Sequence, residues 1–145
     1  MLLNLGCGSQ TVVGAVNVDR VAGPGVTAVL DLDRLPWPWP DGTFAAAWAL
    51  DLFEHVADPL AFMTELHRVL QPGARVRVRT TCWETRQSFT DPTHRRFCTP
   101  DTFAFWDPST WQAQKYPQYA QGRHFRVLHA ERSGEELEFA LERLP

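Results

Sequence analysis

Leu2-Leu3-Asn4-Leu5-Gly6-Cys7-Gly8 decides how the chain is read. A short apolar run reads as a strand. It stops at Gly-x-Gly, where missing Cβ atoms let the backbone turn sharply and approach a ligand. A lone Gly-x-Gly is common in ordinary turns, so its weight depends on what lies beside it. Further apolar runs bounded by turn signals read as strands at 15–18, 26–30, 44–50 and 75–80. Runs at 125–130 and 137–141 join through Ser133-Gly134 as a hairpin. The clearest helix starts at Asp58-Pro59, repeats Leu60, Met63, Leu66, His67 and Leu70 at helical spacing, and stops at Pro72-Gly73. Thr99-Pro100-Asp101 opens a second helix expected within 99–111. The order gives an α/β fold with a compact, mostly parallel sheet ended by an antiparallel C-terminal hairpin. The connections 6–14 and 19–25 are too short for full crossover helices, so those helices are reduced and one face of half the sheet is thinly covered.

Composition narrows the class. The 145 residues are enough for a single domain spanning 1–145, and 44% apolar with 21% charged residues is a globular balance. A formal net charge of −3 gives no basic field for nucleic acid or an anionic membrane. No apolar run approaches the roughly 20 residues of a spanning helix. The N-terminus has no basic region of a signal peptide, and three widely spaced cysteines (Cys7, Cys82, Cys98) fit reduced thiols, so a cytoplasmic protein is expected.

Two carboxylates strengthen the glycine motif. The second strand ends at Asp19, which can accept hydrogen bonds from both hydroxyls of a ribose, and the third ends at Asp31-Leu32, suited to an adenine amino group and an apolar wall. Each alone could be a solvated turn residue. Together they mark the carboxyl edge of the sheet, where open α/β folds bind ligands. The third glycine of a dinucleotide fingerprint is missing, since Ser9-Gln10-Thr11 follows, which argues against a nicotinamide oxidoreductase.

With these residues in place, the chain resembles the small class I, S-adenosylmethionine-dependent methyltransferases of the methyltransferase type 11 group over almost its whole length. Leu3-Asn4-Leu5-Gly6-Cys7-Gly8 is similar to the first motif, Val16-Asn17-Val18-Asp19 to the ribose strand, and Leu35-Pro36-Trp37-Pro38 with Asp41-Gly42-Thr43-Phe44 to the approach to the fourth strand. Leu52-Phe53-Glu54-His55-Val56 and Glu65-Leu66-His67-Arg68-Val69-Leu70-Gln71-Pro72-Gly73 carry the most specific likeness. The resemblance implies a Rossmann-like sheet and S-adenosylmethionine as cofactor. It assigns cofactor binding to Gly6, Cys7, Gly8, Asp19, Asp31, Leu32, Leu50 and Asp51. The departures are the shortened crossovers, no helix ahead of the first strand, and Ala45 where an aspartate is common.

The implied reaction moves a methyl group in line from a sulfonium to an O, N, C or S nucleophile of a small-molecule or glycan-like acceptor. Acceptor-side residues are expected after the fourth and fifth strands: Asp51, Glu54 and His55, then Cys82, Trp83, Glu84 and 90–97, a stretch resembling a "DPTHRRF" segment of part of the family. His94 is the candidate catalytic base or substrate ligand, because imidazole titrates near neutrality; the alternative is that Asp91 and His94 pair to shape a turn. His55 is read as orienting backbone. Cys82, His94, Cys98 and His124 lack paired zinc spacing, so no metal is expected. Arg75, Arg77 and Arg79 share one strand face, either as stems lying over apolar neighbours or as a basic stripe for an anionic partner. Trp106, Trp111, Tyr116 and Tyr119 either line an acceptor pocket or pack in the core. The thinly covered face leaves two readings open: a homodimer or partner contact through it, or Trp37 and Trp39 folding back over it. A catalytically silent homologue serving as a partner subunit is the alternative to an enzyme.

Overall fold

The computed structural model describes all 145 residues. Its sheet holds seven strands in the order β3-β2-β1-β4-β5-β7-β6. These are β1 (Leu2–Leu5), β2 (Val16–Asp19), β3 (Ala28–Val29), β4 (Phe44–Leu50), β5 (Leu70–Thr81), β6 (Phe125–Ser133) and β7 (Glu136–Arg143). β1 to β5 pair in parallel, while β7 inserts antiparallel between β5 and β6. The expected architecture is therefore present. The third strand is shorter than its apolar run suggested: only Ala28 and Val29 pair, and Val29 is 61% exposed at the sheet edge.

Helix α1 (Pro59–Val69) forms as the sequence dictates. The Asp58 side chain accepts from Leu60 N and Ala61 N, both at 3.0 Å, with Pro59 opening the first turn. It ends sooner than Pro72-Gly73. Leu70 turns extended, pairs with Phe44 and is fully buried, so helix passes directly into β5. The helix expected within 99–111 is broken into a 3-10 turn, Thr102–Trp106, and a short helix at Trp111–Lys115. Between them Asp107 spends its carboxylate on Ser109 N and Ser109 Oγ, and Pro108 can donate no backbone hydrogen bond. No helix is long and apolar enough to cross a membrane.

One core of 27 buried residues lies on a single side of the sheet. Leu3 and Leu5, Ala47 and Ala49, Val76 and Val78, and Leu137, Phe139 and Leu141 point to that side, under Phe62, Met63 and Leu66 of α1. Trp37 and Trp39 pack here too, edge-on to Phe62 at 5.5 Å and to Phe44 at 5.3 Å. They do not fold back over the uncovered face, because Glu65 and Arg68 of α1 hold their loop. Trp37 N donates to Glu65 Oε1 at 2.6 Å, and Arg68 donates to the carbonyls of Trp37 (3.1 Å) and Trp39 (2.8 Å).

The opposite face carries no helix, and on it polar residues are set among apolar ones such as Trp48, Leu50 and Ala140. At β1 and β2 the buried Asn4 and Asn17 point that way and hold the 6–14 loop. Asn17 accepts from Val12 N and donates to Val12 O, each at 2.9 Å, while Asn4 donates to Gln10 O at 2.8 Å and to Asn17 Oδ1 at 2.9 Å. At β5 and β7 the arginine stripe is neutralised by cross-strand carboxylates: Arg75–Glu142 at 3.3 Å, Arg77–Glu138 at 3.0 Å and Arg79–Glu136 at 3.7 Å. The arginine stripe is therefore not free for an anionic partner, while beside it Ala46, Trp48, Leu128 and Ala140 keep an apolar strip on the uncovered face.

Two outcomes follow for stability. Asn17→Ala removes the partner of both Val12 groups and of Asn4, and should cost roughly 2–4 kcal/mol in urea denaturation. The buried His67 donates through Nε2 to Leu144 O at 3.0 Å and leaves Nδ1 without a partner. Burial first, and then the Arg143 charge, lower its pKa to about 4. The unfolded chain takes up a proton near pH 6.5 that the folded chain refuses. Stability should therefore fall as pH drops from about 6.5 to about 4, by up to roughly 3 kcal/mol, and His67→Gln should flatten that slope in pH-dependent unfolding.

Candidate functional site

The strand ends build the site. After β1, Gly6 and Gly8 take left-handed backbone angles, φ 60° and 50°. At Gly6 the requirement is double, since a Cβ would stand 2.9 Å from the Leu52 side chain. Cys7 N continues the β1–β2 pairing by donating to Val18 O at 2.9 Å. Gly8 N then donates to Asp19 Oδ2 at 2.8 Å and Val21 N to Asp19 Oδ1 at 3.0 Å. Two backbone donors thus fix the orientation of one carboxylate at the end of β2, and each oxygen keeps lone-pair capacity for a further donor.

Around this point lies a cleft of about 290 Å³ lined by Gly6, Asp19, Asp31, Leu32, Asp51 and Leu52, with His55, Val56 and Thr93 at its other side. Asp31 sits after β3, 3.5 Å from Arg34, and Leu32 supplies a buried apolar surface. The Trp37 indole N–H donates to Leu32 O at 3.2 Å, so the α1-anchored loop also positions this wall. Asp51, at the end of β4, holds φ 56°, an uncommon conformation for a residue with a Cβ. Its carboxylate is forked by the Arg79 guanidinium, with Nε to Oδ1 at 2.9 Å and a second, shorter contact to Oδ2. Its backbone N donates to Arg79 O at 2.8 Å.

A second cleft of about 440 Å³ adjoins the first through Asp51 and His55 and has no apolar lining. Glu54, Thr81, Asp91 and His94 line it, with Glu135 and Glu136 from the C-terminal hairpin turn. The 91–97 stretch docks here because Glu54 O accepts from Arg95 N (2.7 Å) and Arg96 N (3.1 Å), while Arg96 also bonds the Val56 and Ala57 carbonyls. Asp91 accepts from the Thr93 hydroxyl (2.7 Å) and Thr93 N (2.8 Å), and these bonds lower its pKa. His94 is nearly enclosed, its ring 4.7 Å from that of His55, and Nε2 lies 3.8 Å from Asp91 Oδ2.

Of the residues expected to bind a cofactor, Gly6, Asp19, Asp31, Leu32 and Asp51 meet in the first cleft, and Gly8 borders an adjoining groove with Asp19. Cys7 and Leu50 do not line it. The Cys7 side chain is 4% exposed beneath the loop, and burial followed by the Asp19 charge raises its pKa, so it stays a thiol. Leu50 alternates with the core-facing Ala49 and so belongs to the uncovered sheet face. His55, read as a backbone-orienting residue, faces both clefts. Leu52 and Val56 were missed as walls, although their spacing on either side of Phe53 and His55 was visible. Trp106 is core, Trp111 is exposed, and Tyr116 and Tyr119 stack on each other; none lines either cleft.

Comparison with known proteins bears on the fold and on the family likeness. The methyltransferase domain family matches residues 14–78. A probable tocopherol O-methyltransferase, chloroplastic, from Oryza sativa subsp. japonica is 44% identical over 50 residues, covering 34% of this chain and 14% of that protein. Cycloartenol-C-24-methyltransferase 1 from the same plant is 29% identical over 112 residues, covering 77% of this chain and 33% of that protein. The chain thus spans a third or less of the length of these relatives. Among solved structures, the [4+2]-cyclase SpnF superposes with a TM-score of 0.68 at 15% identity, over 99% of this chain and 74% of that one. Burkholderia thailandensis 1,6-didemethyltoxoflavin-N1-methyltransferase, with bound 1,6-didemethyltoxoflavin and S-adenosylhomocysteine, gives 0.65 at 13% identity, over 99% and 71%. These likenesses establish the fold.

The cradle itself can be tested. Gly6→Ala places a Cβ at a left-handed φ and against Leu52, and should cost about 1–2 kcal/mol or more in denaturant unfolding. An unchanged midpoint would show that the loop can relax away from Leu52.

Proposed function

We propose, from the fold and the methyltransferase-domain match over residues 14–78, that the chain is a class I S-adenosylmethionine-dependent methyltransferase that binds S-adenosylmethionine in the Gly6–Asp19–Asp31 cleft and methylates a small-molecule or glycan-like acceptor. The observation that carries the reading is the Asp19 carboxylate, held by Gly8 N and Val21 N beside a glycine cradle that a Cβ would fill. Such a carboxylate suits a vicinal diol, Asp31 suits an exocyclic amine, and Leu32, Leu52 and Val56 suit an apolar ring between them. Bound there, the cofactor supplies a methyl group activated by a sulfonium.

The chain's own residues bind, orient and take up protons. Asp51 and Arg79 lock the backbone at the junction of the two clefts. The wholly polar lining of the second cleft suits an acceptor rich in hydroxyl groups. His94 Nδ1 lies 3.2 Å from Ser88 O, and because a carbonyl only accepts, Nδ1 carries the proton and Nε2 keeps the lone pair. Nε2 is therefore the atom that would receive an acceptor proton or bind the acceptor. The turn reading of Asp91 coexists with this, since that carboxylate serves Thr93 more closely than His94. Three free, buried thiols suit a reducing compartment such as the cytoplasm.

Calorimetry with S-adenosylhomocysteine tests the reading. The wild type should bind, and Asp19→Ala should weaken binding by roughly 10- to 100-fold through loss of charged hydrogen bonds. His94→Gln should leave that affinity nearly unchanged while reducing product release with hydroxylated acceptors. Absence of binding by the wild type, or full affinity in Asp19→Ala, overturns the assignment.

A further inference from the structure

We infer that Glu54, His55 and His94 form a binding site for one divalent first-row transition-metal ion in the polar cleft beside the adenosyl cleft. One ligand-capable atom from each residue lies within 4.8 Å of the other two. Ligands of a bound ion at about 2.1 Å stand roughly 3.3–4.3 Å apart, so closing by about 0.5 Å completes the set.

The hydrogen bonds prepare both imidazoles for this. Asp91 can only accept, so the Thr93 hydroxyl donates to it; His55 Nδ1, 2.9 Å from the Thr93 oxygen, therefore carries the proton that reaches that oxygen. His94 Nδ1 donates to Ser88 O. Each ring is thus left with an unprotonated Nε2 and a partner on its other nitrogen, the arrangement that orients metal-binding histidines. Glu54 is 1% exposed, and its carboxylate accepts only the Thr80 hydroxyl, at 2.8 Å. Two imidazoles and one buried carboxylate thus lie together in one polar cleft, a set that a cation would stabilise.

A separate observation points the same way. Thr81 lines this cleft, is 9% exposed, and its buried hydroxyl has no partner. A buried unpaired hydroxyl is costly, and this one belongs to the lining of the same polar cleft. Two imidazoles with one carboxylate favour zinc, iron, cobalt or manganese over magnesium or calcium. Three protein ligands leave positions open for an exogenous oxygen. The ion site needs only these side chains; its use in holding an acceptor oxygen rests on the methyl-transfer reading, and with the ion bound His94 acts on the acceptor through the ion and not as a base.

The test is titration of the EDTA-stripped full chain with Co²⁺, followed by visible d–d absorption. The expected result is saturation at one ion per chain, without a sulfur-to-cobalt charge-transfer band, and competition by Zn²⁺. His55→Ala, at a partly exposed position, and His94→Ala should each weaken binding at least tenfold with the circular dichroism spectrum retained; Cys98→Ser should bind as the wild type. If His94→Ala fails to fold, His55→Ala decides alone. No saturable binding, unchanged affinity in His55→Ala, or a thiolate band from Cys82 or Cys98 overturns the site. Calorimetry of S-adenosylhomocysteine on the same stripped protein separates the two proposals: cofactor binding without cobalt binding defeats the metal site alone, and cobalt binding without cofactor binding defeats only the adenosyl site.

Discussion

A sheet buried on one side only must make its other side acceptable to water, and this constraint shapes the whole chain. Parallel strands normally carry helices on both faces and are apolar throughout. Here the apolar residues alternate with residues that could not sit under a helix: Asn4 and Asn17 on β1 and β2, and the arginines of β5 opposite the glutamates of β7. Individual exposed ion pairs add little stability. Their effect is to keep that part of the face hydrated beside the apolar strip of Ala46, Trp48 and Ala140. The two asparagines do more, because their amides serve as backbone-like partners for the loop that replaces the first crossover helix.

That loop is also the ligand cradle, so the economy of the fold and the geometry of the site meet at the same residues. Asn17 holds the far side of the loop at Val12, and Asp19 holds the near side at Gly8. The opposite wall is fixed from the core side. Burial alone would raise the Glu65 pKa, but its bonds to Arg68 and Trp37 N outweigh this and leave it lowered and charged. The pair then anchors the proline-rich loop whose start carries Asp31 and Leu32. One wall is held by amides and the other by an ion pair, and neither depends on the missing crossover helices.

The acceptor side has a different origin. It is made where three non-adjacent segments dock: the turn after β4, the end of β5, and the 91–97 stretch seated on the Glu54 carbonyl. Asp51 stands between the two clefts in a strained backbone conformation, clamped by Arg79. The clamp fixes the boundary along which a bound cofactor and its acceptor would meet.

Local chemistry made much of this legible from sequence. Asp58-Pro59 and the spacing after it define α1, and the abrupt ends of β1 and β2 put Gly6, Gly8 and Asp19 on the ligand-binding edge, because strand direction alone fixes which edge that is. Pairing and packing over long range decided the rest. The run at 26–30 is apolar, yet at the sheet edge only Ala28 and Val29 find a partner strand. Cys7 and Leu50 occupy motif positions, but their side chains follow the strand and loop orientation away from the cleft. The opposition of arginines on β5 to glutamates on β7 depends on antiparallel register, which neither strand encodes by itself. Most of all, His55 and His94 are far apart in the chain and obey no ligand spacing; only the docking of Arg95 and Arg96 on Glu54 brings their rings together. The sequence by itself determined the strand-end residues that can cradle a nucleoside, since those follow from local turn chemistry and strand polarity, and the tertiary structure alone decided which imidazoles and carboxylates converge beside them, since that follows from contacts between segments that carry no mutual local signal.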